Sequence, residues 1–407
     1  MKKIFQKYKL GDLYIVSSGL SKAREEFGFG NPFVTFKDVF YNFFLPEKLG
    51  DLVNTTEKEI KSCSVKKGDI FLTRTSETLH ELGMSCVSLK DYDKATFNGF
   101  TKRLRAKYDV GVEIDPVYIG YYLRSKAFRN QIDANASMTT RASLNSSAIN
   151  SIEISIPDFD SQIKIGEILK SLDDKIELNL QTNKTLEEMA NALYKHWFVD
   201  FQLSTTKLTK ESFVFGKDLP IKIPIDYTKE NIKNFIVRLK SESTYKKEQL
   251  ELYGTIPVFD QSQDGVLGYH NNLFSIEASA ESPIIIFGDH TCKLELITTP
   301  FSLGPNTIPF MAKDKELTYY LYFSILGTTK MNDYKRHWSE LMLRDVILPT
   351  QDHIRKFNDV LRPLVELMEK YRNENQILKQ TRDYLLPKLI SGEVGVKDAA
   401  KTVKEVV

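Results

Sequence analysis

Two long segments of the chain place mostly apolar side chains at alternating spacings of three and four residues, the pattern of helices that pair along one face. In the first segment these positions are Leu169, Leu172, Ile176, Asn179, Asn183, Leu186, Ala190, Leu193 and Trp197. In the second they are Leu361, Leu364, Met368, Tyr371, Asn375, Leu378, Arg382, Leu385 and Leu389. Each series extends over four heptads, so the pattern predicts two long helices.

The two helical segments belong to one unit that occurs twice. The segment that begins at Glu153 aligns with the one that begins at Asp345, at a constant offset of 192 residues. In each copy a short strand with alternating apolar residues ends at a proline, Pro157 or Pro349, and the helix follows. This arrangement predicts an internal repeat with pseudo-twofold symmetry.

The two helices predict an intramolecular antiparallel coiled coil. Asn183 and Asn375 occupy the midpoints of the two series, and Leu186 and Leu378 follow at the next seam position. If the helices pair with their ends aligned, the two amides meet, satisfy each other and fix the register. The alternative is that each apolar stripe packs only against its own domain.

The segments outside the helices, roughly residues 9–150 and 231–343, contain short β-type runs, aromatic residues and turn signals. Each also contains one stretch with a helical pattern, residues 117–130 in the first and 317–326 in the second. The predicted fold class is therefore α+β, with two globular domains separated by two long antiparallel coiled-coil helices.

The overall charge excludes a chain that is basic throughout. The 407 residues include 56 Lys and Arg and 54 Asp and Glu, a net charge of +2, so any surface for nucleic acid must be a local patch. Three cysteines are too few for a disulfide framework, and neither a secretory signal nor a membrane-spanning apolar run is found. These features predict a cytoplasmic protein without membrane contact.

The order of domains and helices resembles the specificity (S) subunit of type I restriction-modification enzymes. The resemblance rests on the helix that begins IPDFDSQIKIGEILKSLDDKIE and ends ALYKHWFVDF, and on the second helix, which ends DYLLPKLISGEV. The segments FDQSQDGVLGYHN at 259–271 and SPIIIFGDHT at 282–291 are similar to parts of that family's target-recognition domains. The resemblance implies a subunit that binds double-stranded DNA at a bipartite site, with each domain reading one half-site.

Together the patterns and the resemblance imply the domain boundaries. We expect target-recognition domain 1 over residues 1–158, a spacer helix over 159–200, a linker and target-recognition domain 2 over 201–350, a second spacer helix over 351–392, and a C-terminal tail over 393–407. A helix of about 28 residues is about 42 Å long, which matches about twelve base pairs of DNA. The helices are therefore expected to set the gap between the half-sites.

The resemblance further implies partner proteins. In that family two methyltransferase (M) subunits and the restriction/translocase (R) subunits dock on the helical region. S-adenosylmethionine, ATP and Mg are therefore expected on the partner subunits, and no cofactor or metal is expected in this chain. The chain itself is expected to be non-catalytic, since GxGxxG, GxxxxGK[ST] and GxSxG motifs and histidine pairs with metal spacing are absent.

The first domain contains several candidate DNA contacts. Lys102, Arg103 and Arg105 lie in a stretch, residues 94–107, that has no acidic residue and includes two phenylalanines. Arg74 and Ser76 follow a predicted strand. Arg141 lies in a loop rich in hydroxyl residues, which suit phosphate contacts. The alternatives are a solvated surface for the cluster and ordinary turn chemistry for the loops.

The candidates in the second domain are amide, imidazole and cationic side chains. They are Gln261, Gln263, His290, Lys335 and Arg336. Gln261 and Gln263 follow a predicted strand, and such groups suit base edges and phosphates. A structural role in its turn is the alternative for His290. Two other functions stay open for the whole chain: a DNA-modifying enzyme with an unrecognised catalytic site, and a coiled-coil scaffold without DNA contact.

Overall fold

The computed structural model describes residues 5–78, 81–107, 110–138, 142–203, 208–212, 221–241, 243–262, 265–329 and 336–406. The chain divides into two compact units. Unit 1 comprises Met1–Ile176 and Ile377–Val407, and unit 2 comprises Glu177–Gln376. Each long helix contributes one part to unit 1 and one part to unit 2. No helix in the described part of the chain is long and apolar enough to cross a membrane.

The globular part of unit 1 combines short strands with short helices. The strands are β1 (Gln6–Lys9), β2 (Tyr14–Ser18), β3 (Phe27–Val34), β4 (Asp51–Val53), β5 (Ile70–Thr73), β6 (Thr75–Ser76), β7 (Ser85–Val87), β8 (Thr96–Phe97), β9 (Thr101–Ala106), β10 (Ser137–Met138), β11 (Ala142–Ser143) and β12 (Glu153–Ile156). The helices are α1 (Leu10–Leu13), α2 (Phe36–Tyr41), α3 (Glu57–Ser62), α4 (Pro116–Tyr122), α5 (Lys126–Asn135) and α6 (Ser146–Ser151), with a 3-10 turn at Arg24–Glu26.

The main sheet of unit 1 is antiparallel, with the strand order β2-β9-β5-β7. A second sheet has the order β4-β3-β8, in which β3 and β8 run parallel. β1 pairs with β12, and β6 pairs with the hairpin of β10 and β11. Ile70 and Leu72 of β5 pack in one apolar cluster and Phe71 packs in another, so both faces of this strand are covered.

Polar residues cap the short helices of unit 1 and fix where they begin. Thr35 and Asp38 form a capping box at the start of α2, and Thr56 and Glu59 form one at the start of α3. Each box satisfies backbone N–H groups that the first turn of a helix leaves unpaired. The box at Thr35 starts α2 directly after β3, which places Phe36 at the end of that strand.

Helix α7 (Phe159–Tyr194) begins in unit 1 and ends in unit 2, where a π-helical turn, Lys195–Val199, continues it. The strands of unit 2 are β13 (Leu208–Ser212), β14 (Ile221–Pro224), β15 (Thr228–Asn231), β16 (Ile236–Arg238), β17 (Ile256–Phe259), β18 (Val266–His270), β19 (Ile284–Gly288), β20 (Leu294–Ile297), β21 (Ser302–Leu303), β22 (Thr307–Ala312) and β23 (Asp345–Leu348). The short helices are α8 (Ile232–Phe235), α9 (Leu317–Ile325) and α10 (Trp338–Leu341), with a 3-10 turn at Lys247–Gln249.

The sheets of unit 2 repeat the topology of unit 1. The order β16-β22-β19-β20 matches β2-β9-β5-β7, and every pair in both sheets is antiparallel. The order β18-β17-β21 matches β4-β3-β8, with one antiparallel and one parallel pair in each. β15 pairs with β23 as β1 pairs with β12. The predicted α+β class and internal repeat are confirmed, and the repeat extends from the helices to the globular parts.

The second long helix is α11 (Gln351–Ser391). The segment predicted as a C-terminal tail contains a further helix, α12 (Val396–Lys404). Ala399 and Val403 of α12 are buried in the main apolar cluster of unit 1. The end of the chain therefore adds to the core of unit 1.

Within unit 2 the two long helices pair antiparallel. The amide of Asn179 donates to Oδ1 of Asn375 over 2.9 Å, and the amide of Asn183 donates to the carbonyl of Met368 over 3.2 Å. Later residues of α7 thus meet earlier residues of α11. The three asparagines are buried, as are the seam residues Leu186 in unit 2 and Leu378 in unit 1.

The predicted pairing of Asn183 with Asn375 is wrong, because Asn375 faces Asn179. In seam order, a spacing of four follows Asn179, whereas a spacing of three follows Asn183 and Asn375. In an antiparallel pair, a seam position that is followed by a spacing of four lies opposite one that is followed by a spacing of three. Aligning the helix ends placed two positions of the same kind opposite each other. The predicted register therefore differs from the observed one by part of a heptad.

Within unit 1 an ion pair joins the two long helices. Nη1 of Arg382 lies 2.6 Å from Oδ1 of Asp173, and the hydroxyl of Tyr121 donates to Oδ2 of the same carboxylate over 2.6 Å. Burial, and then the charge of Asp173, raises the pKa of the Tyr121 hydroxyl, which therefore stays protonated as a donor. The guanidinium also lies 5.3 Å from the centre of the Phe43 ring.

Candidate nucleic-acid interface

Three strand ends meet at one edge of the globular part of unit 1. The backbone N–H of Arg74, which follows β5, donates to the carbonyl of Phe100, in the turn after β8, over 2.9 Å. The N–H of Asn98 donates to the carbonyl of Val34, at the end of β3, over 3.1 Å. The loops that follow β3, β5 and β8 therefore lie side by side.

These loops form a cleft of about 260 Å³, which is lined by Phe36, Thr75, Ser76, Glu77, Glu81 and Phe100. The hairpin of β10 and β11 lies in the same region, since β11 pairs with β6 and the N–H of Leu144 donates to the carbonyl of Arg74 over 2.9 Å. Arg74 and Ser76, predicted as contacts, thus lie beside this hairpin. Arg141, between β10 and β11 in the sequence, lies outside the described residues.

Two of the predicted cations lie next to this cleft. Arg74 precedes Thr75, and Lys102 follows Phe100 by two residues. The Nζ of Lys102 donates to the hydroxyl of Ser18 over 2.7 Å, and burial, followed by the charge of Arg74, lowers the pKa of Lys102. Among the described residues neither cation has a carboxylate partner. An anion bound at this place would relieve the repulsion between the two cations.

Arg103 and Arg105 are engaged inside the domain, which corrects their predicted role as DNA contacts. Arg105 forms an ion pair with the buried Asp69, 2.6 Å away. Arg103 donates to the carbonyl of Ser64 over 2.7 Å and lies 5.3 Å from the centre of the Phe97 ring. Arg105 compensates the buried Asp69 carboxylate and Arg103 is held by the Ser64 carbonyl, and we therefore exclude both side chains from the proposed interface.

The loops of unit 2 meet in the same way. The N–H of Asp289, after β19, donates to the carbonyl of Asn306, after β21, over 2.9 Å. The predicted contacts Gln261 and His290 are brought together, since the N–H of His290 donates to Oε1 of Gln261 over 3.2 Å. Nε of Arg336 lies 3.8 Å from Asp289, and its side chain is 80% exposed. Gln263 and Lys335 lie outside the described residues.

Asp289 is the residue of this cluster that sequence reasoning missed. Its Oδ1 accepts a hydrogen bond from the N–H of Trp338 over 3.0 Å, and its carbonyl accepts one from the N–H of His337 over 2.8 Å. It therefore ties the loop after β19 to the start of α10. The sequence did contain a signal for Asp289, because this residue directly follows the apolar run of β19, just as Arg74 directly follows β5.

Matching hydrogen bonds define equivalent positions in the two units. Arg74 corresponds to Asp289, because each donates its N–H across the same pair of loops. The carbonyl of Val34 accepts a hydrogen bond from the N–H of Asn98, which follows β8 in unit 1. In the same way the carbonyl of Phe259 accepts one from the N–H of Gly304, which follows β21 in unit 2. The resulting pairs at the strand ends are Arg74 and Asp289, Phe36 and Gln261, Thr75 and His290, and Phe100 and Asn306.

The chain is similar to known specificity subunits. Residues 2–188 match the family model of the type I restriction modification DNA specificity domain. The type I restriction enzyme MjaIX specificity subunit from Methanocaldococcus jannaschii is 26% identical, over 96% of this chain and 92% of that protein. The HindI specificity subunit from Haemophilus influenzae is 30% identical over 48% of this chain and 41% of that protein. The solved S subunit of a type I restriction-modification system from M. genitalium shares the fold, with a TM-score of 0.57, 16% identity and coverage of 95% of this chain and 96% of that chain.

The matches and the fold make the chain similar to proteins that carry a DNA specificity domain. More particularly, it is similar to type I restriction enzyme specificity subunits, as the resemblance in its sequence predicts. The curated relatives are named as specificity subunits of type I restriction enzymes, which agrees with the prediction that this chain is not itself an enzyme. In the described ranges no group of His, Cys, Asp and Glu side chains is arranged to hold a metal ion.

Proposed function

We propose that the chain reads a bipartite DNA site, with the globular part of unit 1 on one half-site and that of unit 2 on the other. The observation that carries this proposal is the repeated set of strand-end loops with different side chains at equivalent positions. Arg74 in unit 1 stands where unit 2 has Asp289, and Phe100 stands where unit 2 has Asn306. A shared scaffold presents both sets of loops alike, and the different side chains give each set its own base preference.

In this proposal, different side chains make the phosphate contacts and the base contacts. Arg74 and Lys102 bind phosphates beside the cleft of unit 1, and the exposed Arg336 does so in unit 2. Phosphate contacts supply affinity that falls steeply with salt and carry no sequence information. The amide of Gln261 and the polar groups in the cleft of unit 1 are then the groups that distinguish bases.

We infer that the long helices set the gap between the half-sites and bind the partner subunits. α7 exposes Leu178, Leu180 and Met189, and α11 exposes Ile377 and Tyr384. Large apolar side chains on exposed helix faces favour protein contact. The proposed partners are two methyltransferase subunits and the restriction/translocase subunits, which hold S-adenosylmethionine, ATP and Mg in a cytoplasmic complex.

A matched deletion in both long helices tests the role of the helices. Residues 180–186 of α7 and 368–374 of α11 face each other, since Asn183 bonds to Met368, so their joint removal keeps the pair of Asn179 and Asn375. The deletion shortens each helix by about 10 Å, which equals about three base pairs. The full chain and the variant each select bound molecules from a pool of random duplexes. We expect unchanged half-sites with a shorter gap, and an unchanged gap would reject the proposed role of the helices.

A further inference from the structure

The cleft of unit 1 contains two carboxylates, an unusual feature for a surface beside DNA. Glu77 and Glu81 both line the cleft, near the cations Arg74 and Lys102. A carboxylate repels phosphates, and it contacts DNA favourably only through a hydrogen-bond donor on a base. These side chains therefore favour contact with a base edge over contact with the backbone.

Hydrogen bonds hold Glu81 in a defined position. The hydroxyl of Ser76 donates to Oε2 of Glu81. Thr73 Oγ1 donates to the carbonyl of Glu81 over 2.7 Å and accepts from the N–H of Met84 over 2.9 Å, which ties Glu81 to the end of the buried strand β5. Oε1 of Glu81 receives no hydrogen bond from the described residues. One oxygen of a positioned carboxylate is thus left for a donor that comes from outside the chain.

The hydrogen-bond donors that bases present in the major groove of DNA indicate which base Glu81 contacts. Only the amino groups of cytosine and adenine donate hydrogen bonds there. In adenine the amino group lies beside N7, an acceptor that repels a carboxylate, whereas in cytosine it lies beside a C–H group. Phe100, which is 59% exposed and lines the cleft, offers an apolar ring for that C–H edge.

We propose that Glu81 accepts a hydrogen bond from the N4 amino group of a cytosine in the DNA target. Ser76 positions the carboxylate, and Arg74 and Lys102 bind the phosphates that flank this base. The assignment rests on the proposed function, because it requires that unit 1 reads a half-site. It predicts that one half-site contains a C·G pair whose recognition depends on Glu81.

The test uses the full chain and a pool of random duplexes, from which bound molecules are sequenced. Glu81→Gln keeps an acceptor for Ser76 and adds an amide donor, the combination that pairs with N6 and N7 of adenine. We expect the preference for cytosine over adenine at one position to fall about tenfold, with the other half-site unchanged. Glu57→Gln alters an exposed carboxylate of unit 1 on α3, outside the cleft, and as the matched control it is expected to leave every position unchanged.

The outcomes separate this assignment from the proposed function. A wild-type chain that selects no sequence contradicts the proposed function itself. A wild-type chain that selects a site, together with a Glu81→Gln chain of identical preferences, overturns the role of Glu81 alone, as does an equal change caused by the control Glu57→Gln. If Glu81→Gln does not fold, Ser76→Ala serves as the second variant. It releases the carboxylate and is expected to weaken the same cytosine preference, and an unweakened preference overturns the assignment.

Discussion

Replacing Arg382 with alanine is expected to lower the free energy of unfolding by about 3 kcal/mol, the lower end of the cost of breaking a buried ion pair. The side chain of Arg382 is 16% exposed and that of Asp173 is 22% exposed. Removal of the cation leaves the Asp173 carboxylate poorly solvated, with the Tyr121 hydroxyl as its one remaining side-chain donor among the described residues, and also removes the contact with the Phe43 ring. Urea unfolding of the full chain, followed by circular dichroism, measures the change.

Lys356→Ala is the matched control for this prediction. Lys356 forms an ion pair with Asp352 on the same helix at 2.7 Å, but both side chains are more than half exposed. Solvent screens such a pair, so we expect no measurable change in the free energy of unfolding. Equal losses for Arg382→Ala and Lys356→Ala would contradict the role assigned to burial.

The second large effect concerns DNA affinity. The double variant Arg74→Ala and Lys102→Ala is expected to bind duplex DNA about 100-fold more weakly, because each charged hydrogen bond to a phosphate contributes about 1.5 kcal/mol. The slope of log affinity against log salt is expected to become shallower by about two, one for each lost phosphate contact. Fluorescence anisotropy with a labelled duplex at several salt concentrations measures both quantities.

Arg103→Ala is the control for the charge change. It removes a cation from the residue next to Lys102, but the guanidinium of Arg103 contacts Ser64 and Phe97 within the domain. We expect a loss of about 1–2 kcal/mol in stability and an unchanged salt slope. A slope reduced by Arg103→Ala as much as by one of the cleft cations would show that total charge, rather than the cleft, governs binding.

Much of the fold was predictable because its signals are periodic and local. A heptad pattern over four repeats leaves little choice other than a long helix, and the structure has helices at Phe159–Tyr194 and Gln351–Ser391. The register was not predictable from aligned helix ends, because it depends on which seam positions face each other. The repeated sheet order was also missed, since its strands are short and pair across long separations in the chain.

The candidate sites were predictable only in part. Loops after apolar strands pointed to Arg74 and Ser76, which lie beside or in the cleft, and to Gln261 and His290, which the structure brings together. Their contact with DNA stays a prediction. The basic run of β9 was misleading, because charge in the sequence does not reveal that Asp69, 36 residues away, pairs with Arg105. Glu81 was not predicted as a contact, because a single acidic residue gives no signal in the sequence. Its significance depends on Ser76, Phe100 and the end of β5, which only the fold brings together.

The most direct test of the central claim, that each repeat reads its own half-site, is the DNA sequence selected by a chimera. Residues 228–348, from β15 to β23, are replaced by residues 6–156, from β1 to β12, because the two segments begin and end at equivalent strands. Circular dichroism first establishes that the chimera is folded. We predict that it selects the half-site of unit 1 twice, separated by a gap. A chimera that retains the wild-type second half-site would contradict the account.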